Sequence, residues 1–152
     1  MSVPGQPAPE FSATTIRGDT FTLSDHKGKV VVLFFFPAAF SPLCSREVAD
    51  FAKSWRDFSD LGAEVIGIST DNHTTQCEFA ADNALPYALI ADPEGKIATL
   101  YGAKWPLLNL ARRFTFVIDP SGVVRNVFKY ELRATRHVDE AMGATKEMRK
   151  GK

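Results

Sequence analysis

Apolar residues recur along the chain in two patterns, continuous runs and helical stripes. Residues 30–36 are apolar throughout and residues 63–68 nearly so, which predicts strands that are buried on both faces of a sheet. Between them, apolar residues stand at helical spacing, at Val48, Phe51, Ala52, Trp55 and Phe58. Gly62 suits the end of this helix, so residues 30–68 are predicted to form a βαβ unit.

Further elements extend this unit in both directions. Residues 11–22 alternate around a turn at residues 17–19 and predict a short hairpin. The later predicted elements are a helix that begins at Asp71, Asn72 or Thr74 and ends near Asn83, a strand at residues 89–90, a helix at 94–101, an antiparallel pair at 114–118 and 123–130, and a terminal helix from Thr135 or Arg136. This order predicts a single thioredoxin-like α/β domain over residues 1–152, with helices flanking a mixed central sheet and the hairpin as an N-terminal extension.

The junction between the first buried strand and the following helix is the strongest candidate for a reactive site. Ser41 suits the N-cap and Pro42 the first helical position, so Cys44 falls in the first turn. Unpaired backbone N–H groups and the positive end of the helix dipole favour a thiolate there, and the thiolate is the nucleophilic form of cysteine. The Ser41 hydroxyl can point at the same small volume, and Pro37 can limit the access of water.

The spacing of the cysteines distinguishes between two kinds of redox chemistry. A disulfide oxidoreductase would carry its first cysteine at position 41, where this chain has Ser41. Cys44 therefore has no partner in the same turn, and its reaction with a peroxide would leave a sulfenic acid. The only other cysteine is Cys77, so the chain is not a secreted disulfide scaffold.

Composition narrows the classes of function further. The chain has 18 Lys and Arg against 18 Asp and Glu, and this zero net charge argues against binding to nucleic acid. The longest apolar run is too short to cross a membrane, and the polar start shows no signal-peptide pattern, so a cytoplasmic protein is predicted. His73 and Cys77 could share a helix face, but no further ligand cluster accompanies them, so neither a metal nor another cofactor is predicted. His26 and His137 have no evident chemical setting.

The residues around Cys44 resemble the motif of the peroxiredoxins, thiol peroxidases of the alkyl hydroperoxide reductase/thiol-specific antioxidant family. Pro37, Ser41 and Cys44 match its Pro-x-x-x-Thr/Ser-x-x-Cys pattern, and Arg113 stands before a strand where the family carries its essential Arg. The resemblance implies that Cys44 attacks hydrogen peroxide or an alkyl hydroperoxide, which Ser41 and Arg113 hold. It also implies thioredoxin or a similar thiol as the reductant, and it selects Arg113 over its neighbour Arg112.

Two further features of the site stay open. Glu47 either orients an Arg or simply occupies a first helical turn, where the dipole favours an acidic residue. The chain resembles both the bacterioferritin comigratory protein (peroxiredoxin Q) subgroup and the one-cysteine AhpE-like subgroup. The first subgroup places its resolving cysteine five residues after the reactive one, here Ala49, or on the next helix, where Cys77 falls.

The resemblance thus favours an intramolecular Cys44–Cys77 disulfide, with resolution by an external thiol as the alternative. The two cysteines would start different helices, so we expect their Cα atoms to lie beyond the bridging limit of about 7 Å. Closing the disulfide would then require local unfolding around Cys44.

Two other classes of function compete with a peroxidase. A cysteine hydrolase would need a His beside Cys44, and a redox-inert thioredoxin-like module would bind a partner without chemistry. Residues 105–110 are apolar and long for a loop, and an exposed apolar patch suggests an interface. The corresponding region of peroxiredoxins often lies at a dimer contact, so the resemblance implies a homodimer.

Overall fold

The computed structural model describes residues 3–129 and 134–150. Its strands and helices are, in chain order, β1 (Ser12–Thr14), β2 (Thr20–Thr22), β3 (Val30–Phe35), α1 (Pro42–Asp60), β4 (Ala63–Ser69), α2 (His73–Asp82), β5 (Ala88–Ala91), α3 (Lys96–Leu100), β6 (Thr115–Ile118), β7 (Val124–Phe128) and α4 (Ala134–Lys150). A 3-10 turn, Leu23–His26, follows β2. The predicted order of elements is confirmed.

The central sheet has five strands in the order β5-β4-β3-β6-β7. β3 is parallel to β4, and β4 is parallel to β5. β6 runs antiparallel to β3, and β7 runs antiparallel to β6. β1 and β2 pair separately as the N-terminal hairpin. The mixed sheet and its hairpin extension are as predicted, and β3 lies at the centre of the sheet.

The side chains of β3 divide between two hydrophobic clusters, one on each face of the sheet. Val31, Leu33 and Phe35 pack with residues of the hairpin and α3. Their neighbours in the strand pack with residues of α1 and α4 on the opposite face. All 6 residues of β3 are buried. Because both faces are covered, this strand is continuously apolar rather than alternating.

Local capping groups set the starts of α1 and α2. Ser41 is the N-cap of α1, as predicted, and Gly62 follows the helix end with a φ of 74°, the left-handed conformation that glycine adopts at low cost. Of the three candidates for the cap of α2, the structure selects Asn72, whose Oδ1 accepts a hydrogen bond from the Thr75 backbone N–H at 2.8 Å.

Three predicted boundaries were wrong by a few residues. The helix predicted at 94–101 is shorter, because the Asp92 carboxylate accepts hydrogen bonds from the N–H groups of Ile97 and Ala98 and so starts α3 at Lys96. The terminal helix already includes Ala134, ahead of the predicted start at Thr135 or Arg136, and the four residues before it lie outside the described part of the chain. The last strand ends at Phe128, and Tyr130 of its predicted range lies outside the described residues. Within the described parts of the chain, no helix is long and apolar enough to cross a membrane.

Candidate active site

The loop that joins β3 to α1 is tied down by a carboxylate from the neighbouring strand. Asp71 follows β4, and its Oδ2 accepts hydrogen bonds from the Ala39 backbone N–H and the Ser69 hydroxyl, both at 2.7 Å. Phe40 has a φ of 66°, which non-glycine residues adopt infrequently. Its ring packs edge-on against Phe79 of α2, with 5.2 Å between centroids. These contacts fix the loop, and with it the start of α1.

The Ser41 hydroxyl stabilises the first turn of α1 because it both donates and accepts a hydrogen bond. Oγ accepts a hydrogen bond from the Cys44 backbone N–H at 3.4 Å and donates one to the Ala38 carbonyl at 3.0 Å. The Cys44 side chain is completely buried. Pro37 lies half-buried at the start of the loop. The structure therefore brings these three motif residues together around the helix start, with the Ser41 hydroxyl engaged by main-chain atoms.

Arg113 reaches Cys44 because strand pairing brings it to the same end of the sheet. It precedes β6, and the neighbouring residue Phe114 accepts a hydrogen bond from Phe35 at the end of β3. The Arg113 guanidinium donates from Nη1 to Cys44 Sγ at 3.3 Å and to Glu47 Oε1 at 2.8 Å. Burial disfavours the charged guanidinium, but its interactions with Glu47 and Cys44 outweigh this, so the pKa of Arg113 is raised. The group is a fixed cation at the sulfur.

Glu47 stands one turn after Cys44 on α1 and is fully buried. One carboxylate oxygen binds Arg113, and the other, Oε2, lies 3.9 Å from Nδ1 of His137 on α4. The same imidazole nitrogen lies 2.7 Å from the hydroxyl of Thr115 on β6. The sequence showed no chemical setting for His137. Its place in this buried network follows from the packing of α4 against α1 and β6, which no local pattern reveals.

Cys77 faces away from the loop between β3 and α1, which leads to Cys44. Its Sγ lies 3.8 Å from the carbonyl oxygen of Ile16, in the loop that connects β1 to β2. Phe79, two residues later on α2, packs against Phe36 and Phe40. Residues two apart on a helix project in nearly opposite directions, so Phe79 rather than Cys77 occupies the side of α2 that meets the loop between β3 and α1. Both cysteines are free thiols.

Arg112 has a different setting from Arg113. Its guanidinium lies over the ring of Trp105, 4.3 Å from the centroid, and over that of Phe114, at 4.8 Å. The loop that follows Trp105 exposes Leu107, Leu108 and Leu110. Across residues 3–129 and 134–150, no group of three or more His, Cys, Asp or Glu side chains could hold a metal ion.

The protein-family model described as the AhpC/TSA family matches residues 4–127. The chain belongs to the AhpC/TSA family. The matched segment includes Pro37, Ser41, Cys44, Cys77 and Arg113. The resemblance to this family is confirmed.

Two relatives of the chain carry names that are consistent with membership of the AhpC/TSA family. "Peroxiredoxin Q, chloroplastic" of Populus jackii is 36% identical over 139 residues, which cover 91% of this chain and 65% of that protein. "Peroxiredoxin" of Ignicoccus hospitalis is 35% identical over 151 residues, 95% of this chain and 64% of that protein. The chain thus spans just under two thirds of the length of these relatives.

Two solved structures are similar to the chain in their fold. The crystal structure of peroxidoxin BcpB from Mycobacterium tuberculosis has a TM-score of 0.90 and 32% identity, covering 97% of this chain and 99% of that one. Enterococcus faecalis AhpC has a TM-score of 0.86 at 22% identity, with 99% and 96% covered, which shows a shared fold. The predicted thioredoxin-like fold of this AhpC/TSA family member is confirmed.

Proposed function

We propose that the protein is a thiol peroxidase that reduces hydrogen peroxide and organic hydroperoxides through Cys44. The observation that carries this proposal is the 3.3 Å contact between Arg113 Nη1 and Cys44 Sγ. A buried cation beside a sulfur stabilises its thiolate form. A redox-inert binding module would have no use for a buried guanidinium at that position. A cysteine hydrolase would need a His there, whereas His137 contacts Glu47 and Thr115 instead.

The proposed reaction is a two-electron transfer at the sulfur. The Cys44 thiolate attacks the terminal peroxide oxygen, an S–O bond forms, and the O–O bond breaks. The leaving hydroxide or alkoxide takes a proton and departs as water or an alcohol, and Cys44 is left as the sulfenic acid. Arg113 stabilises the negative charge that develops on the leaving oxygen. Ser41 helps to hold the peroxide, and Pro37 excludes water from the sulfur.

We propose that Cys77 resolves this sulfenic acid. Its thiolate attacks the Cys44 sulfur, an S–S bond forms and the S–O bond breaks, and the leaving hydroxide takes a proton from solvent and departs as water. The product is an intramolecular disulfide. Thioredoxin or a similar dithiol then reduces the disulfide. This step needs a reducing compartment, for which we propose the cytoplasm. Cys77 faces Ile16 rather than Cys44, so local unwinding of α1 or α2 must precede the bridge.

One experiment tests both the peroxidase and the resolving step. Fully reduced protein is treated with one equivalent of hydrogen peroxide, and the intact mass is read without reductant. We expect the mass of the wild type to fall by two hydrogen atoms. Digestion without reductant should then give a disulfide-linked pair of peptides that contain Cys44 and Cys77. The Cys77→Ser variant should instead gain one oxygen atom on Cys44, which dimedone traps.

Each other outcome is informative. A wild type that keeps a trappable sulfenic acid and forms no internal disulfide would reject Cys77 and support resolution by an external thiol. If the mass of Cys44 changes in neither protein, the proposed peroxidase itself is wrong.

We also propose that the loop of residues 105–110 forms a homodimer contact. Leu107 is fully exposed, with a φ of 64°, and Leu108 and Leu110 beside it are exposed as well. Asn109 anchors the loop, because its Nδ2 donates to the Pro93 carbonyl at 2.7 Å and its carbonyl accepts from the Thr70 hydroxyl at 2.8 Å. A zero net charge removes long-range repulsion between two copies.

Light scattering coupled to size-exclusion chromatography tests this contact. We expect the wild type to elute with the mass of a dimer and the Leu107→Asp variant with the mass of a monomer. Leu100 on α3 is also exposed, so Leu100→Asp is the matched control and should leave the dimer intact. A monomeric wild type at the highest concentration tested would reject the contact.

A further inference from the structure

We propose that His137 is a positioning residue for the reaction of Cys44, acting through Glu47 and Arg113. The inference rests on the proposed peroxidase function and extends it to the terminal helix. His137 is fully buried, next to Val138 and Ala141 of the apolar cluster between α4 and α1. A polar ring in such surroundings is costly unless its polar atoms have partners, and Thr115 and Glu47 are the partners that face its Nδ1.

The two oxygens of the Glu47 carboxylate face two different groups. Oε1 accepts a hydrogen bond from Arg113 Nη1 at 2.8 Å, and Oε2 lies 3.9 Å from His137 Nδ1. A carboxylate is planar, and its terminal torsion has a broad energy minimum. A group that holds one oxygen in place therefore holds the other as well. The imidazole thus limits the rotation of the carboxylate that anchors the guanidinium.

The surroundings of His137 also select its tautomer. Beside a carboxylate oxygen, an Nδ1 that carries its proton presents a positive edge, whereas a bare Nδ1 would direct its lone pair at negative charge. With the proton on Nδ1, the ring donates its hydrogen bond to the Thr115 hydroxyl at 2.7 Å and turns the same N–H dipole towards Glu47. Thr115 thus fixes the ring plane, and the ring in turn stabilises Glu47.

The segment at the start of β6 delivers both ends of this network. Arg113 lies two residues before Thr115, which begins β6. The Arg113 side chain contacts Cys44 and Glu47, and the Thr115 hydroxyl contacts His137, so both side chains lie on the same side of the sheet. That side is covered by α1, which carries Cys44 and Glu47, and by α4, which carries His137. The order of contacts is therefore His137 to Glu47, Glu47 to Arg113, and Arg113 to the sulfur. Two residues, Glu47 and Arg113, therefore stand between His137 and the reacting sulfur.

Two substitutions separate positioning from packing. His137→Leu fills the site with an apolar side chain and removes Nδ1, whereas His137→Asn can place a side-chain N–H near the position of Nδ1. We expect His137→Leu to lower the rate constant for oxidation of Cys44 by hydrogen peroxide about tenfold, since misplacement by about 1 Å can cost up to about a hundredfold. His137→Asn should restore most of this rate constant, even if its thermal stability is lower than that of His137→Leu.

The second readout is alkylation of Cys44 by iodoacetamide in the Cys77→Ser background. This reaction needs the thiolate but places no charge on a leaving oxygen, so it depends less on Arg113 than the peroxide reaction does. We expect the ratio of the peroxide rate to the alkylation rate to fall in His137→Leu and to recover in His137→Asn. If His137 had a purely structural role, the alkylation rate would instead rise as the fold loosens. The peroxide rates of the variants would then follow their thermal stabilities rather than the polarity of the side chain at position 137.

A double-mutant cycle completes the test. If His137 acts through Arg113, then His137→Leu should reduce the peroxide rate by less than a factor of two in an Arg113→Met background. Thr115→Val frees the imidazole without changing it, and it should show the same lowered ratio if His137→Leu fails to fold. A wild-type ratio in Thr115→Val and in any folded His137→Leu, or an undiminished effect in the Arg113→Met background, would overturn the inference. Cys44→Ser run alongside keeps the two proposals apart, because peroxide consumption retained in that variant would reject the peroxidase itself.

Discussion

Replacing Cys44 by Ser is expected to reduce peroxide consumption to the uncatalysed level. Ser keeps the shape of the side chain, but its hydroxyl does not ionise at neutral pH and cannot act as the soft nucleophile that a peroxide oxygen requires. We expect a loss of at least about 10³-fold, a small part of the roughly 10⁶-fold or more by which enzymes accelerate reactions. Consumption of hydrogen peroxide in the presence of dithiothreitol measures the effect.

Cys77→Ser is the matched control for this loss. It removes the other thiol of the chain, and it should keep the first, single-turnover reduction of peroxide at the wild-type rate. Thermal unfolding of Cys44→Ser should remain close to that of the wild type, because the new hydroxyl can accept the hydrogen bond from Arg113 that the sulfur now accepts. Retained peroxide consumption in a folded Cys44→Ser variant, or a first turnover lost in Cys77→Ser alone, would contradict the assignment of Cys44.

The parts of the fold that the sequence predicts well are those that neighbouring residues decide. The run of β3 is apolar because both faces of the strand are covered, and this pattern is visible without any partner. The start of α1 depends on Ser41, Pro42 and the turn that follows, all within a few residues. The position of Cys44 in the first helical turn could therefore be predicted from local signals, and the match to the family motif added Arg113.

The remaining features of the site depend on contacts between distant segments. Asp71 is a candidate helix cap from sequence alone, but in the fold its carboxylate holds the loop at Ala39. His137 has no local signal, because its role follows from the docking of α4. Glu47 is ambiguous in sequence, since an acidic residue in a first turn needs no partner. That alternative was wrong, because α1 begins at Pro42 and has no acidic residue in its first turn, and the Glu47 carboxylate binds Arg113. Spacing along the chain does not report which side of α2 carries Cys77.

Replacing Arg113 by Met is expected to have two separable effects, one on the reaction and one on stability. The variant loses the cation that lies 3.3 Å from the sulfur, and removal of one such donor to a developing oxyanion typically costs about 10²- to 10³-fold in rate. It also leaves Glu47 buried without the guanidinium that now binds it at 2.8 Å. Breaking a buried pair in this way is destabilising by about 3–5 kcal/mol.

A second substitution separates these two effects. In the double variant Arg113→Met with Glu47→Gln, the buried carboxylate becomes a neutral amide, so most of the lost stability should return while the peroxide rate stays low. Stopped-flow fluorescence gives the rate of Cys44 oxidation, and urea unfolding gives the free energy of unfolding. If the rate returned together with the stability, Arg113 would act only by maintaining the fold.

Arg112 provides the control for charge in the same segment. Its guanidinium stacks over Trp105, 4.3 Å from the ring centroid, and so it supplies a positive charge next in sequence but with a different contact. We expect Arg112→Met to change the peroxide rate by less than a factor of about three, because an exposed or partly exposed charge is strongly screened by solvent and salt. A loss as large as that of Arg113→Met would mean that the general positive charge of the segment, rather than the contact of one guanidinium with the sulfur, activates Cys44.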